Sequence, residues 1–338
     1  MTPGDRSDAP LGHGAGADAA TARVTAVQED IVRLRLSDPE AGRLVKNEVV
    51  HIHPERLPGA ALKAEVLRVM GAEADAQVYE NTGGVGLGDP VTQTGRLLSV
   101  SLGPGLLGQV YDGLQNPLET LAQGHGIFLP RGVEAPGLDR SAKWAFTAHA
   151  RIGDRLAGGD ALGTVPEGAL THKIMLPFEI DEPVEITWIR DGPVTVDDPV
   201  ARVRDDAGRE RTLTLAQDWP VRLPLSRPML DRRASLRQYP DAPMITRQRL
   251  IDTFFPVAQG GTACIPGPFG AGKTVLQTLV AKNAEVDVVI IVACGERAGE
   301  VVETIREFPR IKDPRTGGSL MDRTVIVCNT SSMPVAAR

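Results

Sequence analysis

Between Thr21 and about Thr94 the apolar residues come in short runs separated by turn signals. Residues 24–27, 31–36, 48–52 and 64–69 read as strands, and 77–79 adds another before the loop Gly83-Gly84-Val85-Gly86-Leu87-Gly88-Asp89-Pro90. Apolar and polar positions alternate in the second and fourth runs, as in strands with one face in a core. Many short strands at close spacing predict an all-β barrel over residues 21–94. Residues 95–228 are rich in glycine and proline and poor in helical periodicity. Strand-like runs at 186–189 and 211–215, with a turn at Asp191-Gly192, predict a second β-rich unit.

Over residues 229–338, and clearly after Asp231, the pattern becomes α/β. A short strand at 262–265 is expected to feed a glycine loop, and Val275, Leu276, Leu279 and Val280 stripe the helix after it. Residues 286–293 form a continuous apolar run, the mark of a strand covered on both faces of a parallel sheet. Val301, Val302, Ile305 and Phe308 stripe the next helix, and 324–328 is a third strand. Strand–helix alternation of this kind predicts right-handed βαβ units in a doubly wound domain. The chain contains no internal repeat.

The glycine loop carries the strongest chemistry. Gly267, Gly272, Lys273 and Thr274 satisfy G-x-x-x-x-G-K-[ST], with Pro268, Phe269, Gly270 and Ala271 between them and Val275 after. Glycines let backbone N–H groups turn around phosphate oxygens, and the positive end of the following helix faces the same anions. Lys273 reaches the outer phosphates and the Thr274 hydroxyl suits Mg²⁺, so ATP or ADP with Mg²⁺ is the expected ligand. The competing reading is an ordinary glycine turn, disfavoured because a strand precedes the loop and a helix opens from it. Glu296 and Arg297 follow the second core strand, where ligands of open α/β sheets lie. A carboxylate there can deprotonate an attacking water, and an arginine can neutralise phosphoryl charge. The alternative is a surface pair at a helix start.

Other candidates are weaker. A core strand ending in an acidic residue for the Mg²⁺ shell is not found, because the strands end Cys294-Gly295 and Cys328-Asn329. Three strands also make a short sheet, so truncation within this domain is expected. His51 and His53 share a strand face without an accompanying ligand at metal spacing and read as an exposed pair. Asp112-Gly113 reads as a turn. The three cysteines, Cys264, Cys294 and Cys328, lie in strand-like runs and are expected to be small buried hydrophobes.

Composition narrows the classes. A hydrophobic fraction of 42% and a charged fraction of 24% are ordinary for a globular chain of 338 residues. The net charge of −6 offers no basic footprint for nucleic acid. Three cysteines suit a reducing compartment. Residues 1–20 are expected to be a mobile tail, and the longest apolar run is far shorter than the roughly 20 residues of a membrane helix. The chain is therefore expected to be soluble, without direct membrane insertion, so that any membrane connection comes through partner proteins.

Several stretches resemble the catalytic A subunit of V-type and archaeal-type rotary ATPases. They are Ser99-Val-Ser-Leu-Gly-Pro-Gly-Leu-Leu107, Asp112-Gly-Leu-Gln115, Gln217-Asp-Trp-Pro-Val-Arg222 and Ile251-Asp-Thr-Phe-Phe-Pro256. Gly260-Gly-Thr-Ala263, the loop with its Pro268-Phe269, Cys294-Gly-Glu-Arg297 and Asn329-Thr-Ser-Ser-Met-Pro-Val-Ala-Ala-Arg338 continue the match. The resemblance implies an N-terminal barrel, an inserted bulge domain over 95–228 and a RecA-like phosphate-loop domain. It implies that Lys273 and Thr274 hold phosphates and Mg²⁺, Glu296 activates water and Arg297 meets the γ-phosphate. It further implies non-catalytic B subunits alternating in a ring and lending an arginine finger, with stalk subunits and a proton- or sodium-carrying membrane rotor. Two departures stand near the site: Ala298-Gly299 replaces Gly-Asn, and Arg247 replaces the glycine of Thr-Gly-Gln-Arg. Ala271 replaces the loop cysteine of eukaryotic members. The rival readings are a protein-export motor, a ring-shaped RNA helicase, and a non-catalytic or decayed fragment acting in assembly. The long β-rich insertion opposes the first, the missing basic groove the second, and intact Lys273, Thr274 and Glu296 the non-catalytic subunit.

Overall fold

The computed structural model describes residues 21–38, 42–126, 130–234, 239–268 and 270–338. The expected tail over 1–20 and Phe269 lie outside the described residues. Six strands close the first unit: β1 (Ala22–Gln28), β2 (Ile31–Leu36), β3 (Glu48–Ile52), β4 (Leu62–Met70), β5 (Glu73–Val78) and β6 (Pro90–Leu97). They form an antiparallel closed barrel in the order β1-β2-β5-β4-β3-β6, which leaves no unpaired edge. Val32, Leu34, Val50, Ile52, Leu62 and Val66 fill it from alternate positions. The expected alternation holds in β2 and fails in β4. A bulge between Val66 and Arg68 turns Val69 outward, to 37% exposure.

Glu65 breaks the β4 pattern in another way, because its carboxylate is buried. Arg222 Nε and Nη2 donate to it at 2.8 and 2.6 Å, and the Tyr79 hydroxyl donates at 2.6 Å. Burial pushes the Glu65 carboxyl up, but the hydrogen bonds from Arg222 and Tyr79 outweigh it and hold the carboxyl below its ordinary value. This contact ties the barrel to a distant part of the chain.

After the barrel come β7 (Ser99–Leu102), β8 (Val110–Tyr111) and α1 (Leu118–His125). A sandwich follows. One sheet holds β9 (Trp144–Ala148), β11 (Ala161–Glu167), β12 (Leu170–Met175) and β14 (Gly192–Val194). The other holds β10 (Arg155–Leu156), β13 (Val184–Ile189), β15 (Ala201–Arg204) and β16 (Glu210–Leu213). Phe146, Leu162, Leu176, Ile186, Val200 and Val203 pack between the sheets. The β-rich character expected of this region is present. The outgoing strand β17 (Gln217–Pro220) pairs antiparallel with β7. Chain entering and chain leaving the sandwich thus lie side by side, and Arg222 follows directly to meet Glu65.

The last unit contains α2 (Arg227–Ala234), β18 (Pro243–Met244), α3 (Arg249–Phe254), β19 (Val257–Ala258), α4 (Lys273–Asn283), β20 (Val289–Glu296), α5 (Ala298–Glu307) and β21 (Thr324–Thr330). Its parallel sheet has the order β20-β21-β8, so a two-residue strand from before the sandwich completes one edge. Periodicity could not reveal Val110-Tyr111, because two residues carry no period. Val301, Phe308, Leu320 and Ile326 lie in the core, and the half-buried Ile305 packs against it. Two expectations fail here. Residues 262–265 form no strand, for they pair with no other strand and Thr262, Ala263 and Cys264 are exposed. The apolar run is covered on one face only, since Ile290 and Val292 are 66% and 59% exposed. The α4 stripe is also partly open, with Val275 at 64% and Leu279 at 39%, and in α5 Val302 faces outward. Of the cysteines only Cys328 is buried, whereas Cys264 and Cys294 are exposed, contrary to expectation.

Candidate functional site

The glycine loop ends where α4 begins. Gly272 is the N-cap residue, with φ +83°, and Gly270 has φ +79°, both in the left-handed region that glycine adopts freely. A side chain at Gly267 would meet the Ala271 Cβ at 3.1 Å, so the loop also needs glycine for closeness. No side chain caps α4, and its first turn holds no acidic residue. Its first N–H groups and the positive end of its dipole therefore point at the loop without internal compensation, which favours an anion. The Lys273 ammonium folds over the loop, donating to the carbonyls of Gly267 at 2.6 Å and Pro268 at 3.1 Å.

A cleft of about 890 Å³ unites the predicted side chains. Lys273 and Thr274 enter it from α4; Glu296, the last residue of β20, and Arg297, the N-cap of α5, enter it from the strand end. Gly270, Ala271, Gly272 and Val275 line the same space. Gly267 and Pro268 meet it through Lys273. Glu296 is held at its backbone, where its carbonyl accepts from the Ser331 N–H at 2.9 Å.

One residue of the site was missed. The Thr274 hydroxyl donates to Glu300 Oε2 at 3.2 Å, so α5 brings a carboxylate to the hydroxyl expected to hold Mg²⁺. Its sequence signal was an acidic residue in the first turn of the helix after β20. Hydroxyl and carboxylate oxygens side by side are the donor set a hard cation prefers, so the residues fit Mg²⁺.

The remaining candidates resolve as ordinary structure. Asp112 accepts from the N–H groups of Leu114 and Asn116 at 2.9 and 2.8 Å, which makes it the hinge of a turn. His51 and His53 are half-buried and not the exposed pair expected: His51 lies 3.6 Å from Glu134, which pairs with Lys63 at 2.9 Å, and His53 bonds to Thr92 at 3.0 Å. Among the described residues no three metal-ligating side chains cluster, and no helix is long and apolar enough to cross a membrane.

A closed barrel, a β-sandwich and a phosphate-type loop opening a helix are the architecture of a barrel-bearing nucleotide-binding chain. Residues 135–222 match the alpha/beta subunit barrel-sandwich domain of ATP synthase, and residues 247–338 match the nucleotide-binding domain of the ATP synthase alpha/beta family. The chain belongs to the ATP synthase alpha/beta family. Within it, several relatives of the chain are V-type alpha chains. The V-type ATP synthase alpha chain 1 of Treponema pallidum is 59% identical over 293 residues, covering 86% of this chain and 48% of that one. The V-type ATP synthase alpha chain of Borrelia turicatae is 53% identical over 320 residues, covering 94% and 53%. That of Borrelia hermsii is 55% identical over 298 residues, covering 88% and 50%. The chain thus spans about half the length of the curated relatives it matches.

Proposed function

We propose that this chain forms the catalytic nucleotide site of a V-type rotary ATPase, binding ATP with Mg²⁺ and cutting or forming its terminal phosphoryl bond. The observation that carries the reading is one cleft with an uncapped helix start, Lys273 and Thr274 on one side and Glu296 on the other. Backbone N–H groups of the loop and Lys273 hold the phosphates. Thr274, with Glu300 beside it, holds Mg²⁺, which neutralises charge on the outer phosphates when bound. Glu296 takes the proton of the attacking water as its oxygen bonds to phosphorus and the bond to the ADP oxygen breaks. Arg297 offsets charge on the transferred group. Synthesis is the same step reversed.

In this reading the chain sits at the cytoplasmic face of a membrane, through a ring shared with non-catalytic subunits and a stalk to an ion-carrying rotor. The 51–59% identity to V-type alpha chains supports that assembly. The test uses the full-length subunit in its complex. Glu296→Gln keeps size and hydrogen bonding, so turnover should fall roughly 10²–10⁴-fold while nucleotide still binds. Lys273→Ala should lose both. Equal loss of binding and rate in Glu296→Gln would make Glu296 a structural residue.

A further inference from the structure

Apart from the Ser331 N–H that holds the Glu296 carbonyl, the stretch 329–338 and the turn at Asp112-Gly113 contribute nothing to the site described above, yet they meet beside it. Asn329, at the end of β21, donates from Nδ2 to the Ala337 carbonyl at 2.9 Å. This clamp rests directly on Gly113, where a Cβ would stand 2.0 Å from Asn329 Nδ2 and 2.5 Å from the Ala337 oxygen. Only a residue without a side chain leaves room for it. Further tethers fix the same segment, with the Ser331 N–H on the Glu296 carbonyl at 2.9 Å and the Arg338 N–H on the Pro334 carbonyl at 3.4 Å. The outcome is the position of Arg338. Its Nη1 lies 3.4 Å from where a Gly295 Cβ would be, so the guanidinium rests against a wall residue of the phosphate cleft, next to Glu296.

We propose that Arg338 is an electrostatic positioning residue of the nucleotide site, seated by the Asn329–Ala337 clamp on Gly113. The proposal rests on the nucleotide reading above and adds a second arginine, from a different strand end, to Arg297. A guanidinium keeps its charge at any physiological pH, so its contribution is a fixed positive potential. The bound phosphates are already anionic in the ground state, so the charge acts on nucleotide affinity and shows in kcat/KM.

The test is steady-state ATP hydrolysis by the full-length subunit in its assembled complex, with Lys273→Ala as the check on the site itself. Arg338→Gln keeps most of the side chain and removes the charge. In that variant kcat/KM for ATP should fall roughly tenfold, the scale of one charge acting on another across about 10 Å at an effective dielectric near 20, with most of the change in KM. Arg338→Lys should recover most of the loss, and Gly113→Ala should match Arg338→Gln because its methyl group displaces the clamp. Equal impairment in the Gln and Lys variants would show that the side chain only packs, and wild-type kcat/KM in Arg338→Gln would remove the role altogether. Should Gly113→Ala not assemble, the Arg338 pair decides alone. If Lys273→Ala turned over normally, the failure would belong to the nucleotide reading and not to Arg338.

Discussion

Arg247 stands at φ +60°, a left-handed conformation in which a side chain crowds the following carbonyl. Glycine is free of that cost. Here the arginine has an occupation: its Nη2 and Nε donate to Glu285 Oε1 at 2.9 and 3.2 Å, just beyond α4. The ion pair is half-exposed on both sides, at 53% and 48%, which limits it to roughly 0.2–1 kcal/mol. Replacing Arg247 with Gly removes that pair and adds about 0.5–1 kcal/mol of chain entropy to the unfolded state, but it relieves roughly 1–2 kcal/mol of strain. The terms nearly cancel, so Arg247→Gly should lie within about 1 kcal/mol of the parent. Arg247→Ala keeps the strain and loses the pair, so it should be the less stable by roughly 0.5–1 kcal/mol. The local readout is hydrogen exchange at the Glu285 amide, which donates to the Ile245 carbonyl at 2.9 Å. Exchange in the Ala variant should run about two- to fivefold faster than in the Gly variant. Equal protection, or better protection with Ala, would refute the strain argument.

The barrel clamp makes a pH prediction. The Glu65 carboxyl is held below its ordinary value, so its contribution is present above that value and is lost as pH falls through the lowered one. In Arg222→Gln burial dominates, the carboxyl rises above its ordinary value, and the Glu65 contribution reverses sign, growing as pH falls. The variant should lose about 1–3 kcal/mol near neutral pH, because Arg222 is half-exposed and Tyr79 still donates to Glu65, and part of that loss should shrink on acidification, measured by thermal unfolding from pH 7 to 4. A loss that does not depend on pH would refute this account. The exposed Ile290 and Val292 lie on an open sheet face, and such surfaces recruit other chains. Purified residues 1–338 should therefore self-associate in light scattering, and Ile290→Lys with Val292→Thr should raise the soluble fraction. Monodisperse parent protein would overturn that reasoning.

The barrel was legible because one-sided burial writes itself as alternation, and β2 and β3 begin and end where the pattern says. The phosphate loop was legible for a different reason: its glycines serve backbone conformations that few other residues adopt. Failures came where tertiary context overrode local pattern. Glu65 reads as the polar side of a strand but is buried, because its partner Arg222 is 157 positions away. The run around Ile290 reads as fully covered, yet apolar residues record only what a strand can bury. Residues 262–265 have strand composition and no strand beside them. Glu300 was hidden because nothing local distinguishes an acid at a helix start from one aimed at a hydroxyl across the cleft.

The two-residue strand β8 has a consequence for how the protein is made. Val110 and Tyr111 leave the ribosome roughly two hundred residues before Ile326 and Val327, their partners in the sheet. At about 5–20 residues per second, the strand waits roughly 10–40 s for its place. The barrel and the sandwich can both fold in that interval, so the nascent chain presents β8 already anchored, and the nucleotide unit closes against it last. A gene cut between the sandwich and the nucleotide unit would separate a strand from its sheet, whatever boundary a count of elements suggests. Supplying residues 99–117 in trans, or fusing them ahead of residue 239, is the way to recover that edge in an excised unit.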